Sequence, residues 1–128
     1  MNRFVIDASY VLAFLLPDEH QDQVDDLFSK YTSGDVYFVA PTLLPYEVAN
    51  ALSASIKRKR ITKIQAQNLL EAFLDFSFPL LSIQFKQALS LSQKYQISLY
   101  DASYLVLSQT LQYPLLTFDK QLKSFISL

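Results

Sequence analysis

Four acids stand in apolar sequence: Asp7 in Val5-Ile6-Asp7, Glu47 in Tyr46-Glu47-Val48, Asp101 in Leu99-Tyr100-Asp101 and Asp119 in Thr117-Phe118-Asp119. Singly, each reads as an ordinary helix-start residue: Asp7 and Asp119 as N-caps, Asp101 as the far member of a Ser98-x-x-Asp101 capping box, Glu47 as a first-turn partner of the helix dipole. Capping acids usually sit in polar surroundings, however, and these do not. As a set they also repel. Two carboxylates ~4 Å apart cost about 4 kcal/mol at an effective dielectric of about 20, whereas a helix N-terminus returns only about 0.3–1 kcal/mol per acid. If the four meet, either some are protonated or a divalent cation joins them. A site made only of oxygen donors selects hard Mg²⁺ or Mn²⁺, and several acids around such ions suit in-line phosphoryl displacement.

The rest of the composition leaves few other routes to chemistry. The chain has 128 residues, no cysteine and one histidine. Disulfide scaffolds, thiolate zinc sites, cysteine nucleophiles and histidine-rich metal sites are excluded, and a Ser-His-Asp triad would have to use His20. The length fits one domain with a full hydrophobic core.

The elements that must position the acids follow from apolar runs and their punctuation. Phe4-Val5-Ile6 is a strand that gives way at Asp7 to an apolar helix over Tyr10 to Leu16, stopped by Pro17. A polar amphipathic helix runs from about His20 to Tyr31 and breaks at Gly34-Asp35, before a strand over Val36 to Ala40. Thr42 is the expected N-cap of a long helix reaching about Arg60. Thr62 and Gln65 have the form of a capping box for the next helix, whose apolar face is Leu69, Leu70, Phe73 and Leu74. A strand over Leu80 to Ile83, helices over Gln84 to Tyr95 and over Leu99 to Leu111 capped by Ser98, a strand over Leu115 to Phe118 and a terminal helix over Lys120 to Ile126 complete the chain. Apolar strands alternating with helices imply a parallel sheet covered on both faces. In such sheets ligands bind outside the carboxyl ends of the strands, the edge at which Asp7 and Asp119 emerge and near which the helices bearing Glu47 and Asp101 begin. Asp7-Ala8-Ser9-Tyr10 recurs as Asp101-Ala102-Ser103-Tyr104, but the flanks do not match, and what the copies share is an acid at the start of an element.

The net charge of −1 conceals segregation. Lys57, Arg58, Lys59, Arg60 and Lys63 cluster at the end of the long helix, where they suit the dipole and are either a solvated helix end or a surface for RNA phosphates. Asp18, Glu19, Asp22, Asp25 and Asp26 read as a solvated helix face, and His20 as a surface residue. Arg3 before the apolar run over Tyr10 to Leu16 suggests a signal peptide, but Asp7 interrupts it and no small-residue cleavage site follows. The run is also well short of the ~20 residues a membrane span requires. The expectation is a soluble, cytoplasmic protein with no membrane association.

In order and spacing, Phe4-Val5-Ile6-Asp7-Ala8-Ser9, Glu47-Val48-Ala49-Asn50-Ala51-Leu52, Ile97-Ser98-Leu99-Tyr100-Asp101-Ala102 and Leu115-Leu116-Thr117-Phe118-Asp119 resemble the four motifs of PIN-domain nucleases, most closely the VapC-type ribonuclease toxins of toxin-antitoxin pairs. One departure is the single glycine, with none in Tyr95-Gln96-Ile97 before the third motif. The resemblance implies a three-layer α/β/α fold with a mostly parallel sheet of four to five strands, and endoribonuclease activity. It implies Asp7, Glu47, Asp101 and Asp119 around Mg²⁺ or Mn²⁺, with Asp7 and Asp101 the more direct ligands and Glu47 and Asp119 positioning metal or water. Ser9 then either supports the Asp7 carboxylate, a water or the phosphate, or is a plain helix-start hydroxyl. Asn50 either orients Glu47 or is an amide at the core edge. Thr117 suits a strand and reads as structural. A small antitoxin partner and a homodimer are implied by resemblance alone. Of eighteen aromatics, eight Tyr and ten Phe, most are core, and some are available to stack on bases or line a groove.

Two other readings compete. A receiver-like aspartyl phosphotransfer domain needs an acceptor aspartate after a central strand, yet Leu80-Leu81-Ser82-Ile83 leads to Gln84, and a haloacid-dehalogenase-like pattern wants an acid where Ser9 stands. A catalytically silent RNA- or protein-binding module on the same fold is the other.

Overall fold

Val5 and Ile6 are both fully buried, and so are Phe38, Val39 and Ala40. Successive strand residues point to opposite faces, so both faces of the sheet are covered. The computed structural model describes residues 1–126. In chain order the elements are β1 (Asn2–Ile6), α1 (Ala8–Leu15), α2 (Asp22–Thr32), β2 (Val36–Pro41), α3 (Leu44–Lys57), α4 (Lys63–Asp75), β3 (Leu80–Leu81), α5 (Phe85–Tyr95), α6 (Leu99–Leu111), β4 (Leu115–Leu116) and α7 (Lys120–Ile126). A turn of 3-10 helix at Pro17–Glu19 follows α1.

The four strands are all parallel, in the order β3-β2-β1-β4. Val5 is central, paired with Val39 on one side and Leu115 on the other. The chain steps outward from β1 to β2 to β3 and then returns to the far side of β1, so the order reverses between β1 and β4. Right-handed crossovers therefore put α1 to α4 on one face and α5 and α6 on the other. The contacts agree: α1 meets α2, α3 and α4, while α6 lies on β1 and β2. This is the expected three-layer α/β/α arrangement. Phe28 of α2 is the centre of the first interface, at 5.4 Å between ring centroids from Phe38 and 4.2 Å from Phe14, with Tyr10, Phe76 and Phe78 also against it.

Local signals set most boundaries. Thr62 and Gln65 make both bonds of the capping box, and Ser98 Oγ accepts from the Asp101 amide at 3.0 Å. Gly34, at φ 84°, ends the excursion after α2 in a conformation that favours glycine. Gln96 and Gln112 take the same left-handed region at φ 56° and 58° to close α5 and α6, which explains how the chain manages with one glycine. Thr42 is not the cap of α3, which begins two residues later after Leu43. β2 persists to Pro41, paired with Leu81, and the Thr42 amide extends that ladder to the Leu81 carbonyl. Pro45 then fits the first turn, where its missing N–H costs nothing. At its other end α3 stops at Lys57, and Lys59 turns the chain at φ 60°. β3 and β4 are each shorter than their apolar runs. Among the described residues no helix is long and apolar enough to cross a membrane.

Because Phe28 is 1% exposed and touched by five rings, Phe28→Ala is expected to cost about 3–5 kcal/mol. The urea midpoint followed by circular dichroism measures this, and a loss below about 1 kcal/mol would show that α2 contributes little to the core.

Candidate active site at the carboxyl edge of the sheet

β1 ends at Ile6, and Asp7 follows it at 5% exposure, between the end of the strand and the first turn of α1. Its carboxylate is held through both oxygens. Oδ1 accepts from Ser9 Oγ at 2.7 Å and from the Tyr10 amide at 3.0 Å, and Oδ2 accepts from Thr117 Oγ1. The two hydroxyls also receive bonds from the chain beyond β4: Ser9 Oγ from the Phe118 amide at 2.9 Å, Thr117 Oγ1 from the Asp119 amide at 3.0 Å. The Asp7 amide donates to the Leu116 carbonyl at 3.2 Å. Past that point hydroxyls replace carbonyls as acceptors, which is why the strand character of β4 stops while the chain stays tied to β1.

Glu47, in the first turn of α3, is half-buried, and its Oε1 accepts from Tyr104 OH of α6 at 2.6 Å. This bond joins the two helical layers across the edge. Asp101, on the first turn of α6, donates its amide to Ser98 Oγ at 3.0 Å. Asp119 is exposed and caps α7, its Oδ1 accepting from the Leu122 amide at 3.0 Å.

Burial holds the Asp7 carboxyl above its ordinary range; Thr117, Ser9 and the Tyr10 amide pull it down, and the charge of Asp119 pushes it up. Glu47 is raised by burial, lowered by Tyr104, and raised by Asp101 and Asp7. Asp101 is raised by burial and by Asp119, and lowered by Ser98. Tyr104 is raised far above an ordinary phenol by burial and by Glu47, so its hydroxyl stays a donor at any working pH.

The fold thus brings the four acids to one edge, where Asp7, Glu47 and Asp101 each sense the charge of at least one other acid. Among the described residues no Lys or Arg is ion-paired to Asp7, Glu47 or Asp101. Among the described residues, no three His, Cys, Asp or Glu side chains are grouped closely enough to hold a metal ion as they stand. The donor set nonetheless fits a hard divalent cation in kind, being oxygen throughout and negatively charged.

Ser9 bonds Asp7, as one of its two readings expected. Asn50 lies beside Glu47 in a cavity with Tyr46 and Tyr100, but the hydrogen bond on Glu47 comes from Tyr104. Thr117, read from its strand position as structural, is instead a direct partner of Asp7. Its signal was a hydroxyl in an apolar run two residues before an acid. Tyr104 was missed as a site residue, and its signal was helical spacing of three from Asp101. The repeated tetrapeptide does different work in its two copies, since Ser103 Oγ donates to the Leu99 carbonyl and not to Asp101. The basic cluster is not at this edge. From Glu47 to Lys57 the helix rises ~15 Å away from it, and Arg60 is engaged with Asp18 at 2.6 Å and Glu19 at 3.1 Å. His20 is on the surface beside Asp22 and Asp25.

Residues 4–126 match the PIN domain family. The chain is 31% identical over 125 residues to Ribonuclease VapC3 of Pyrobaculum aerophilum, covering 94% of this chain and 92% of that protein. The crystal structure of PAE2754, also from Pyrobaculum aerophilum, has the same fold, with a TM-score of 0.75 at 22% identity over 96% of this chain and 85% of that one.

The raised carboxyls fix a sign for stability. The unfolded chain releases these protons near ordinary values and the folded chain only above them. Through that window the folded state holds more protons, and their contribution to stability falls as pH rises. Asp7→Asn removes the most buried of the charges. In EDTA, its thermal midpoint relative to wild type is expected to climb as pH rises above the ordinary carboxylate range, about pH 4. A difference that stays flat or reverses would show that the hydrogen bonds on Asp7 outweigh its burial.

Proposed function

The chain belongs to the PIN-domain family, and from that premise we propose that it is a Mg²⁺- or Mn²⁺-dependent endoribonuclease, the toxin of a toxin-antitoxin pair. The observation that carries this reading is the set of four acids delivered to one edge by four separate parts of the chain, coupled by charge. The name of the relative, Ribonuclease VapC3, supports RNA as the substrate class.

In this reading Asp7 and Asp101 hold the ion, and Glu47 and Asp119 position it or the attacking water. When bound, the ion supplies a Lewis acid to the phosphoryl oxygen and acidifies water. The chain's own residues do the rest. Ser9, the Tyr10 amide and Thr117 fix the Asp7 carboxylate before any ligand arrives. Tyr104 holds Glu47 in one orientation, and the raised proton affinity of Glu47 suits it to accept a proton from water. No side chain has to form a covalent bond to phosphorus. Lys57, Arg58, Lys59 and Lys63 are exposed and attract RNA by charge from a distance. The same reading implies a small cognate antitoxin, a homodimer and residence in the cytoplasm.

The test compares wild type, Asp7→Asn and Asp101→Asn on structured and unstructured RNAs with Mg²⁺, Mn²⁺ or EDTA. Each substitution is expected to lower cleavage by more than the ~10–100-fold that loss of an outer partner of a metal ligand costs, and EDTA to abolish it. Cleavage that survives both substitutions or EDTA would sink the mechanism. RNA binding without cleavage would put a silent binding module in its place.

A further inference from the structure

Asp7 and Ser9 lie two residues apart where β1 gives way to α1, and the turn brings two donors to one carboxylate oxygen. As the N-cap of α1, Asp7 takes the Tyr10 amide on Oδ1 at 3.0 Å, the bond a cap makes to the third helical residue. Ser9 Oγ donates to the same atom at 2.7 Å. Oδ2 receives Thr117 Oγ1 from beyond β4. Each of these hydroxyls has a single proton, and each oxygen already accepts a backbone amide, from Phe118 at Ser9 and from Asp119 at Thr117. The two hydroxyls are 3.3 Å apart, further than the 2.7 Å from Ser9 to Asp7, so the carboxylate is the better acceptor of their protons. A carboxylate has about four lone-pair positions, two on each oxygen. At Asp7 three are filled, both of those on Oδ1 and one on Oδ2. One position remains, on Oδ2. In the second copy of the tetrapeptide the cap is Ser98, and Ser103 Oγ donates to the Leu99 carbonyl at 2.8 Å, so the arrangement belongs to Asp7 and not to the repeated sequence.

Taking the divalent-ion reading above as premise, we propose that Ser9 is a metal-selectivity residue: together with the Tyr10 amide it fills Oδ1, limits Asp7 to one ligating oxygen and so discriminates against Ca²⁺ in favour of Mg²⁺. Ca²⁺ gathers about six to eight oxygens and often takes a carboxylate through both atoms, whereas Mg²⁺ is octahedral, keeps several waters and is held by one or two carboxylates. A carboxylate restricted to one oxygen deprives Ca²⁺ of a ligand and leaves Mg²⁺ unaffected. Rotation of the side chain does not lift the restriction, because releasing Oδ1 uncaps α1. Glu47 Oε1 and Asp119 Oδ1 each carry a bond as well, from Tyr104 OH and from the Leu122 amide, which keeps the supply of protein oxygens low across the whole edge.

The test follows Mn²⁺ binding through loss of the free-ion electron paramagnetic resonance signal, and its displacement by Mg²⁺ and by Ca²⁺, in wild type, Ser9→Ala, Ser9→Thr and Thr117→Val. Ser9→Ala reopens Oδ1 and is expected to shift the ratio of Ca²⁺ to Mg²⁺ affinity toward Ca²⁺ by about tenfold, the lower end of what an outer partner of a metal ligand is worth. Ser9→Thr keeps the hydroxyl and should keep the wild-type ratio. Thr117→Val opens a position on Oδ2 while Oδ1 stays filled, so it should weaken both ions and leave the ratio unchanged. If alanine unfolds the chain by circular dichroism, Ser9→Cys, a weaker donor of similar shape, should give a smaller shift in the same direction. A ratio that does not move in a folded Ser9 variant would overturn the assignment and leave the ribonuclease reading intact. An equal shift in Thr117→Val would also overturn it, because general loosening of the site would then set the preference. A wild type that binds no Mn²⁺ would overturn both readings.

Discussion

A carboxylate buried where two parallel strands end has to be bonded through both oxygens, or burial drives it to give up its charge. Asp7 is such a group, and its partners come from two directions: Ser9 and the Tyr10 amide from the turn that follows β1, Thr117 from the far side of β4. The same hydroxyls receive the Phe118 and Asp119 amides, so holding Asp7 and positioning Asp119 are one arrangement. It depends on β4 lying beside β1, the place where the strand order reverses and where an open sheet has its natural crevice.

The acid edge is built against its own electrostatics. Asp7, Glu47 and Asp101 all have carboxyls raised above their ordinary range, with burial as the leading cause and neighbouring acids adding to it. What offsets this lies elsewhere: the stacked and edge-on rings around Phe28 between α2 and the sheet, and the fully buried aliphatic strands. Tyr104 belongs to both regimes. Its ring is buried in the core and its hydroxyl orients Glu47, so core packing of α6 sets the position of an acid carried by α3. A charged edge that the rest of the fold must sustain is the pattern expected of a functional site, where local rules are broken for a purpose.

Much of the fold was legible because its signals are local. Apolar strands ending at Asp7 and Asp119, the Thr62 capping box, the Ser98 cap and Gly34 each act over a few residues. Thr42 carries the hydroxyl of a cap, a local signal, whereas the pairing of Pro41 with Leu81 holds the strand on past it. Asn50 was a reasonable partner for Glu47 by helical spacing, but the bond is made by Tyr104, 57 residues away along the chain. Thr117 looked like a strand former because β-branching is visible in sequence and a hydrogen bond to a residue 110 positions distant is not. The basic cluster was evident as composition, yet its distance from the acids follows only from the direction in which α3 runs.

The sequence alone therefore determined the kind of chemistry open to this protein. Without cysteine and with one histidine, it offers oxygen ligands, and the order of four acids in apolar surroundings pointed to one edge of a parallel sheet. Tertiary structure decided which groups hold those acids, which share charge, and which aromatic rings are left facing solvent. The division has a physical origin. Residue type and short-range periodicity fix what a side chain can do and which element it rides on, whereas burial, hydrogen-bond partners and electrostatic coupling depend on segments that meet only when the chain returns to the far side of β1.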